Sequence, residues 1–151
     1  MKPHLVIALG NPLMGDEGVA FHLVEALRLD PRLPEDVEVL WGGADLLGCA
    51  DKMIGCTRVT LLDALLDPSA PGALSIFDGD FSALETCQSS AHQLSAVGAL
   101  ELLRIADPSL RNVRFKLLAV AMCSAEMQSE LSPALAAKLP QLLDQVLREL
   151  A

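Results

Sequence analysis

The sequence predicts a single three-layer α/β domain, with a mostly parallel, twisted sheet of about five strands and helices on both faces. Three observations predict it. Short apolar runs closed by turn residues alternate with segments whose apolar residues recur at the helical period. The chain has 151 residues, shows no internal repeat and no linker-like shift in composition, and so reads as one domain over 1–151. Hydrophobic residues make up 52% and aromatic residues only 3%, so the core must be aliphatic.

The elements follow in order. Leu5 to Leu9 is an apolar run closed by Gly10-Asn11-Pro12, the pattern of a strand buried on both faces. Val19, Ala20, Leu23, Val24 and Leu27 share one helical face, and Pro31 and Pro34 end that helix. Val37 to Trp41 is a second strand before Gly42-Gly43, and Ala44 to Met53 reads as a short helix. Arg58 to Leu62 is a third strand ending at Asp63, and Ala73 to Phe77 a fourth after the turn residues 67–72. A loop over 78–88 leads to a helix from Leu94 to Ala106, and Val113 to Val120 is the last strand. Ser132-Pro133 opens the final helix, with Ser as N-cap and Pro in the first turn. Pro140 is expected to kink that helix or split it in two. In such folds ligands bind beyond the carboxyl ends of the strands.

Composition excludes some functions. A net charge of −9 argues against a nucleic-acid partner, which needs clustered Lys and Arg. The first apolar run is too short for a signal-peptide core or a membrane span, which points to the cytoplasm and away from the membrane. Cys49, Cys56, Cys87 and Cys123 are scattered without a Cys-x-x-Cys pair, as expected of reduced, mostly buried thiols. One domain of this size can bury its own core, so a monomer is expected.

The chain lacks the P-loop, His-Glu-x-x-His and Gly-x-Ser-x-Gly signatures, and Gly10, Gly15 and Gly18 do not fit a dinucleotide-binding turn. What remains is a set of acids and one histidine near the expected carboxyl edge. Asp16 and Glu17 sit in the first turn, Asp63 closes an apolar strand, and His92 precedes a helix. Each has an ordinary explanation as well: acids favour a helix N-terminus, Asp63 could cap a turn, and a lone His is usually a surface residue. Together, Glu17, Asp63 and His92 would suit a borderline divalent ion such as nickel or zinc. His4 and His22 look less functional. Cys87 lies five residues before His92, but nothing orients them as a nucleophile–base pair.

The turn Gly10-Asn11-Pro12-Leu13-Met14-Gly15-Asp16-Glu17-Gly18 resembles the opening of the hydrogenase maturation protease family. Leu40-Trp41-Gly42-Gly43, Leu61-Leu62-Asp63-Ala64 and Ala91-His92-Gln93-Leu94 resemble the family's later segments, in its order. The resemblance implies an aspartic-type endopeptidase that trims the C-terminal extension from a nickel-iron hydrogenase large-subunit precursor after nickel insertion. It carries the metal-contacting roles to Glu17, Asp63 and His92, with nickel arriving in the substrate rather than held by the resting enzyme. It also implies a twisted, mainly parallel sheet between helices. Two stretches depart from the family pattern. Trp41-Gly42-Gly43-Ala44 stands where the family has Asp-Gly-Gly-Thr, with Asp45 close by as a substitute. Val120 to Glu126 lacks the family's usual Gly-x-x-Pro-Glu. Both are expected to line the cleft and to bear on substrate choice. In the mechanism so implied, the metal polarises the scissile carbonyl or activates water, or it serves recognition alone while a carboxylate acts as base. Asp16 is the spare candidate for that base. The competing class is a nickel-sensing chaperone that inspects the large subunit without cutting it.

Overall fold

The structure, a computed structural model, describes residues 3–79, 100–122 and 130–151. β1 (His4–Leu9) is buried at every position, as expected of a central strand covered on both faces. It is followed by α1 (Val19–Leu29), β2 (Val37–Gly43), α2 (Ala50–Met53), β3 (Arg58–Leu66) and β4 (Leu74–Asp78). Helical residues 100–106 form α3, and β5 (Arg114–Met122) and α4 (Pro133–Leu150) complete the order. The sheet runs β2-β1-β3-β5-β4, parallel except for β4, which pairs antiparallel with β5 at the edge.

Alternation along each strand divides the core. Leu5, Ile7 and Leu9 of β1 pack with Val59, Leu61 and Leu65 of β3 and with Met53 and Leu100 on the α2/α3 face. Val6 and Ala8 pack on the other face with Leu23 and Leu27 of α1 and Leu142 and Val146 of α4. The three-layer α/β reading therefore holds, with helices on both faces.

Several element limits differ from expectation, each for a local reason. β3 does not stop at Asp63. It runs on to Leu66 because β5 keeps pairing with it, Asp63 opposite Ala119 and Leu66 opposite Met122. The helix expected from Ala44 is shorter. The Asp45 carboxylate accepts a hydrogen bond from the Gly48 backbone N–H at 2.9 Å, making a turn, and only a 3-10 turn at Leu47–Cys49 and the four residues of α2 follow. The helix expected over 94–106 is described from residue 100 onward, and its earlier part lies outside the described residues.

Pro140 does not split the last helix: α4 is one element of 18 residues with Pro140 inside it. Its apolar stripe, Leu135, Leu142, Val146, Leu147 and Leu150, is buried and holds the helix together across the missing N–H. Pro140 itself is exposed. Pro140→Ala restores that donor and removes the ring clash, so it should raise the unfolding free energy by about 1–3 kcal/mol in urea titrations. An unchanged midpoint would mean that α4 already accommodates the ring without strain.

Candidate active site

β1 and β3 are neighbours, but their connections leave in opposite directions: β1 leads through α1 to β2, and β3 leads away to β4 and β5. Such a switch point leaves a crevice outside the carboxyl ends of the two strands. β1 stays paired with β3 only as far as Ala8 opposite Leu62. Asp63 is therefore the first β3 residue beyond its neighbour's pairing, level with the turn that leaves β1.

Gly10 closes β1 with φ +139°, a conformation open to glycine and strained for other residues. Its N–H donates to the Gly43 carbonyl at 2.9 Å, tying the exits of β1 and β2 together. A Cβ at Gly10 would overlap the Glu17 carbonyl oxygen and lie 3.9 Å from Asp63 Oδ1. The missing side chain is thus what lets the Glu17 backbone and the Asp63 carboxylate close on the same point. Gly18 does similar work behind the turn, where a Cβ would lie 2.6 Å from Pro12 Cα. Glu17 and Asp63, 46 positions apart in the chain, are brought together by this crossing.

The adjacent acids Asp16 and Glu17 have different fates. Asp16 is 3% exposed. Its Oδ1 accepts from the Ser132 backbone N–H at 2.7 Å and its Oδ2 from the Ser132 hydroxyl at 2.9 Å. Both oxygens are committed to the start of α4. Glu17 is half-buried, and among the described residues no hydrogen bond or ion pair holds its carboxylate. Asp63 is 2% exposed, and its Oδ1 accepts from the Ala64 N–H at 2.8 Å. Alternation puts Asp63 on the same face as Leu61 and Leu65, the α2/α3 face. His92 and Cys87 lie outside the described residues, as do Cys123 and Glu126 of the divergent stretch after β5. Among the described residues no three His, Cys, Asp or Glu side chains are placed to hold one ion.

Two further expectations are answered by packing. Trp41 packs edge-on against Phe21 of α1, with ring centroids 5.3 Å apart, so its side chain fastens α1 to β2. Asp45 is exposed and spends its carboxylate on the Gly48 turn. Sequence reasoning assigned Ser132 only a capping role. It does cap α4, accepting from the Leu135 N–H at 3.4 Å, but its bonds to Asp16 span 116 residues and leave no local signal.

At the opposite edge of the sheet, His4 proves to be a buried structural residue. An Arg58 N–H donates to its Nδ1 at 2.8 Å, so Nε2 carries the proton and donates to Thr60 Oγ1 at 2.8 Å. Burial first, then the Arg58 charge, with Lys116 adding and Asp36 opposing, lowers the His4 pKa from 6.5 to about 4. The unfolded chain therefore binds a proton that the folded chain refuses. This contribution is complete above the unfolded value and is lost as pH falls from 6.5 towards about 4. It is worth at most about 3 kcal/mol. Unfolding free energies at pH 7.5 and 4.5 should fall less for His4→Gln than for the wild type. Equal slopes would remove His4 as the acid-sensitive group.

An α/β sheet with the buried Asp63 carboxylate at its switch point, and the half-buried Glu17 in the turn whose backbone closes on the same point, defines a protein with acids available for chemistry in a crevice. The comparisons narrow that class. The family model for hydrogenase maturation proteases matches residues 21–149. The hydrogenase 2 maturation protease of Escherichia coli is 32% identical over 148 residues, covering 97% of this chain and 89% of that protein. The solved structure of the hydrogenase maturating endopeptidase HybD from E. coli superposes with a TM-score of 0.81 at 32% identity, covering 99% of this chain and 92% of that one. The [NiFe] hydrogenase maturation protease HybD from Thermococcus kodakarensis superposes with a TM-score of 0.84 at 26% identity, covering all of both chains. The chain belongs to the hydrogenase maturation protease family and is a peptidase. Among its described residues, no helix is long and apolar enough to cross a membrane.

Proposed function

We propose that this protein removes the C-terminal extension from the large-subunit precursor of a nickel-iron hydrogenase after nickel has been inserted. The observation that carries the reading is the approach of the Glu17 backbone and the Asp63 carboxylate to one point at Gly10, at the switch point of a fold shared with hydrogenase maturation proteases. Glu17, Asp63 and His92 would together offer two carboxylates and an imidazole, a donor set that fits a borderline divalent ion. Nickel would arrive with the precursor, and these residues would engage it there, bringing the scissile peptide to the crevice. An ion so held would supply Lewis-acid chemistry at the scissile carbonyl or the attacking water, or would serve recognition alone, with a carboxylate of this chain accepting the water's proton. Glu17 is the carboxylate suited to that task, because Asp16 is committed to Ser132. We also propose that the enzyme acts as a monomer in the cytoplasm, a setting that suits the buried, reduced thiol of Cys49.

The test is a cleavage assay read by intact mass. Purified protein is mixed with nickel-loaded precursor, and the precursor should lose a short C-terminal peptide. A precursor that binds but keeps its full mass would instead support a chaperone that inspects without cutting.

A further inference from the structure

We infer that Asp16 is a positioning residue, and that its two hydrogen bonds to Ser132 aim Glu17 into the crevice. The inference rests on the reading of Glu17 as the working acid. Glu17 sits in a 3-10 turn of four residues, Gly15–Gly18, where its N–H donates to the Met14 carbonyl at 3.2 Å and the Val19 N–H donates to the Asp16 carbonyl. So short a turn does not fix a side chain by itself. Its external anchor is the Asp16 carboxylate, which uses both oxygens on one residue, at 2.7 and 2.9 Å. Two bonds to different oxygens fix the carboxylate plane as well as its position. Because Asp16 and Glu17 are consecutive, fixing one sets where the other begins.

The far side of the anchor is rigid. Ser132 is the N-cap of α4, whose buried stripe packs against the sheet and α1. Near its other end Glu149 accepts from Lys116 of β5 at 3.2 Å. The Asp16 charge also lies at the N-terminus of an 18-residue helix, where the aligned peptide dipoles favour an anion. A carboxylate this buried would be costly without those partners. The α4 N-terminus thus acts as the reference point from which the Glu17 turn is hung. The same arrangement turns both Asp16 oxygens towards Ser132.

Steady-state cleavage of nickel-loaded precursor tests this with variants on both sides of the bond pair. Ser132→Ala leaves Asp16 Oδ2 without its donor. It should lower kcat roughly 10- to 100-fold with little change in KM, as loss of an orienting partner does. Ser132→Thr keeps the hydroxyl and should recover most of the turnover. Asp16→Asn keeps an acceptor for the Ser132 N–H and should retain more activity than Asp16→Ala. The double variant Asp16→Ala/Ser132→Ala should be little worse than Asp16→Ala alone. Amide hydrogen exchange across residues 15–18 should quicken in both alanine variants.

Wild-type kcat in Ser132→Ala, or an Asp16→Asn enzyme as inactive as Glu17→Gln, would overturn the inference. So would unchanged exchange in the turn, and that readout needs no substrate. Failure of the wild type to cut any precursor, with exchange altered as expected, would count against the proposed function and leave the anchor standing.

Discussion

Glu17→Gln should leave the fold intact and lower kcat by roughly 10²–10⁴-fold. The substitution keeps the shape of the side chain and removes its charge and its basicity. Glu17 is half-buried, and no described residue holds its carboxylate, so glutamine breaks no described ion pair or hydrogen bond there. The unfolding midpoint should therefore match the wild type. Proton acceptance and metal engagement both require the anion, so turnover should collapse by either route. Normal turnover would remove Glu17 from the mechanism. A lost fold would show that the carboxylate has a structural partner.

Gly10→Ala should damage both stability and activity. The backbone there has φ +139°, which alanine reaches only with strain. The added methyl would overlap the Glu17 carbonyl oxygen, and that oxygen belongs to backbone rather than to a side chain that can swing away. Strain and overpacking together should cost roughly 2–5 kcal/mol in urea unfolding. The molecules that do fold must push the Glu17 turn away from Asp63, whose Oδ1 lies 3.9 Å from the same point. Cleavage should then be lost beyond what the unfolded fraction explains. A folded, active Gly10→Ala enzyme would mean that the crossing of β1, Glu17 and Asp63 is looser than described.

The sheet and its order of elements were legible because each strand is a compact aliphatic run and each helix a periodic one. The errors lie where local pattern does not decide. Asp63 read as a strand end, yet Ala64, Leu65 and Leu66 continue the apolar run, and β5 extends alongside to pair with them. The Ala44 helix was overdrawn because Asp45 and Gly48 spend the segment's first turn on an Asx bond. Pro140 breaks a rule of helix propensity and is outweighed by a buried stripe that continues on both sides of it. Asp16 and Glu17 are neighbouring acids with no difference in sequence pattern. Only the arrival of Ser132 from across the chain separates the anchor from the carboxylate that no described residue holds. His4 was set aside as functionally uninteresting, and its burial against Arg58 and Thr60 depends on β3 lying beside β1. The expected role of His92 falls on residues outside those described.

The most direct test of the account is to compare nickel-loaded with nickel-free precursor, each incubated with the wild-type protein and read by intact mass. Loss of a C-terminal peptide from the loaded form alone is the result expected if Glu17 and Asp63 engage an ion carried by the substrate. Equal cleavage of both forms would contradict that account and leave a peptidase whose carboxylates work without nickel.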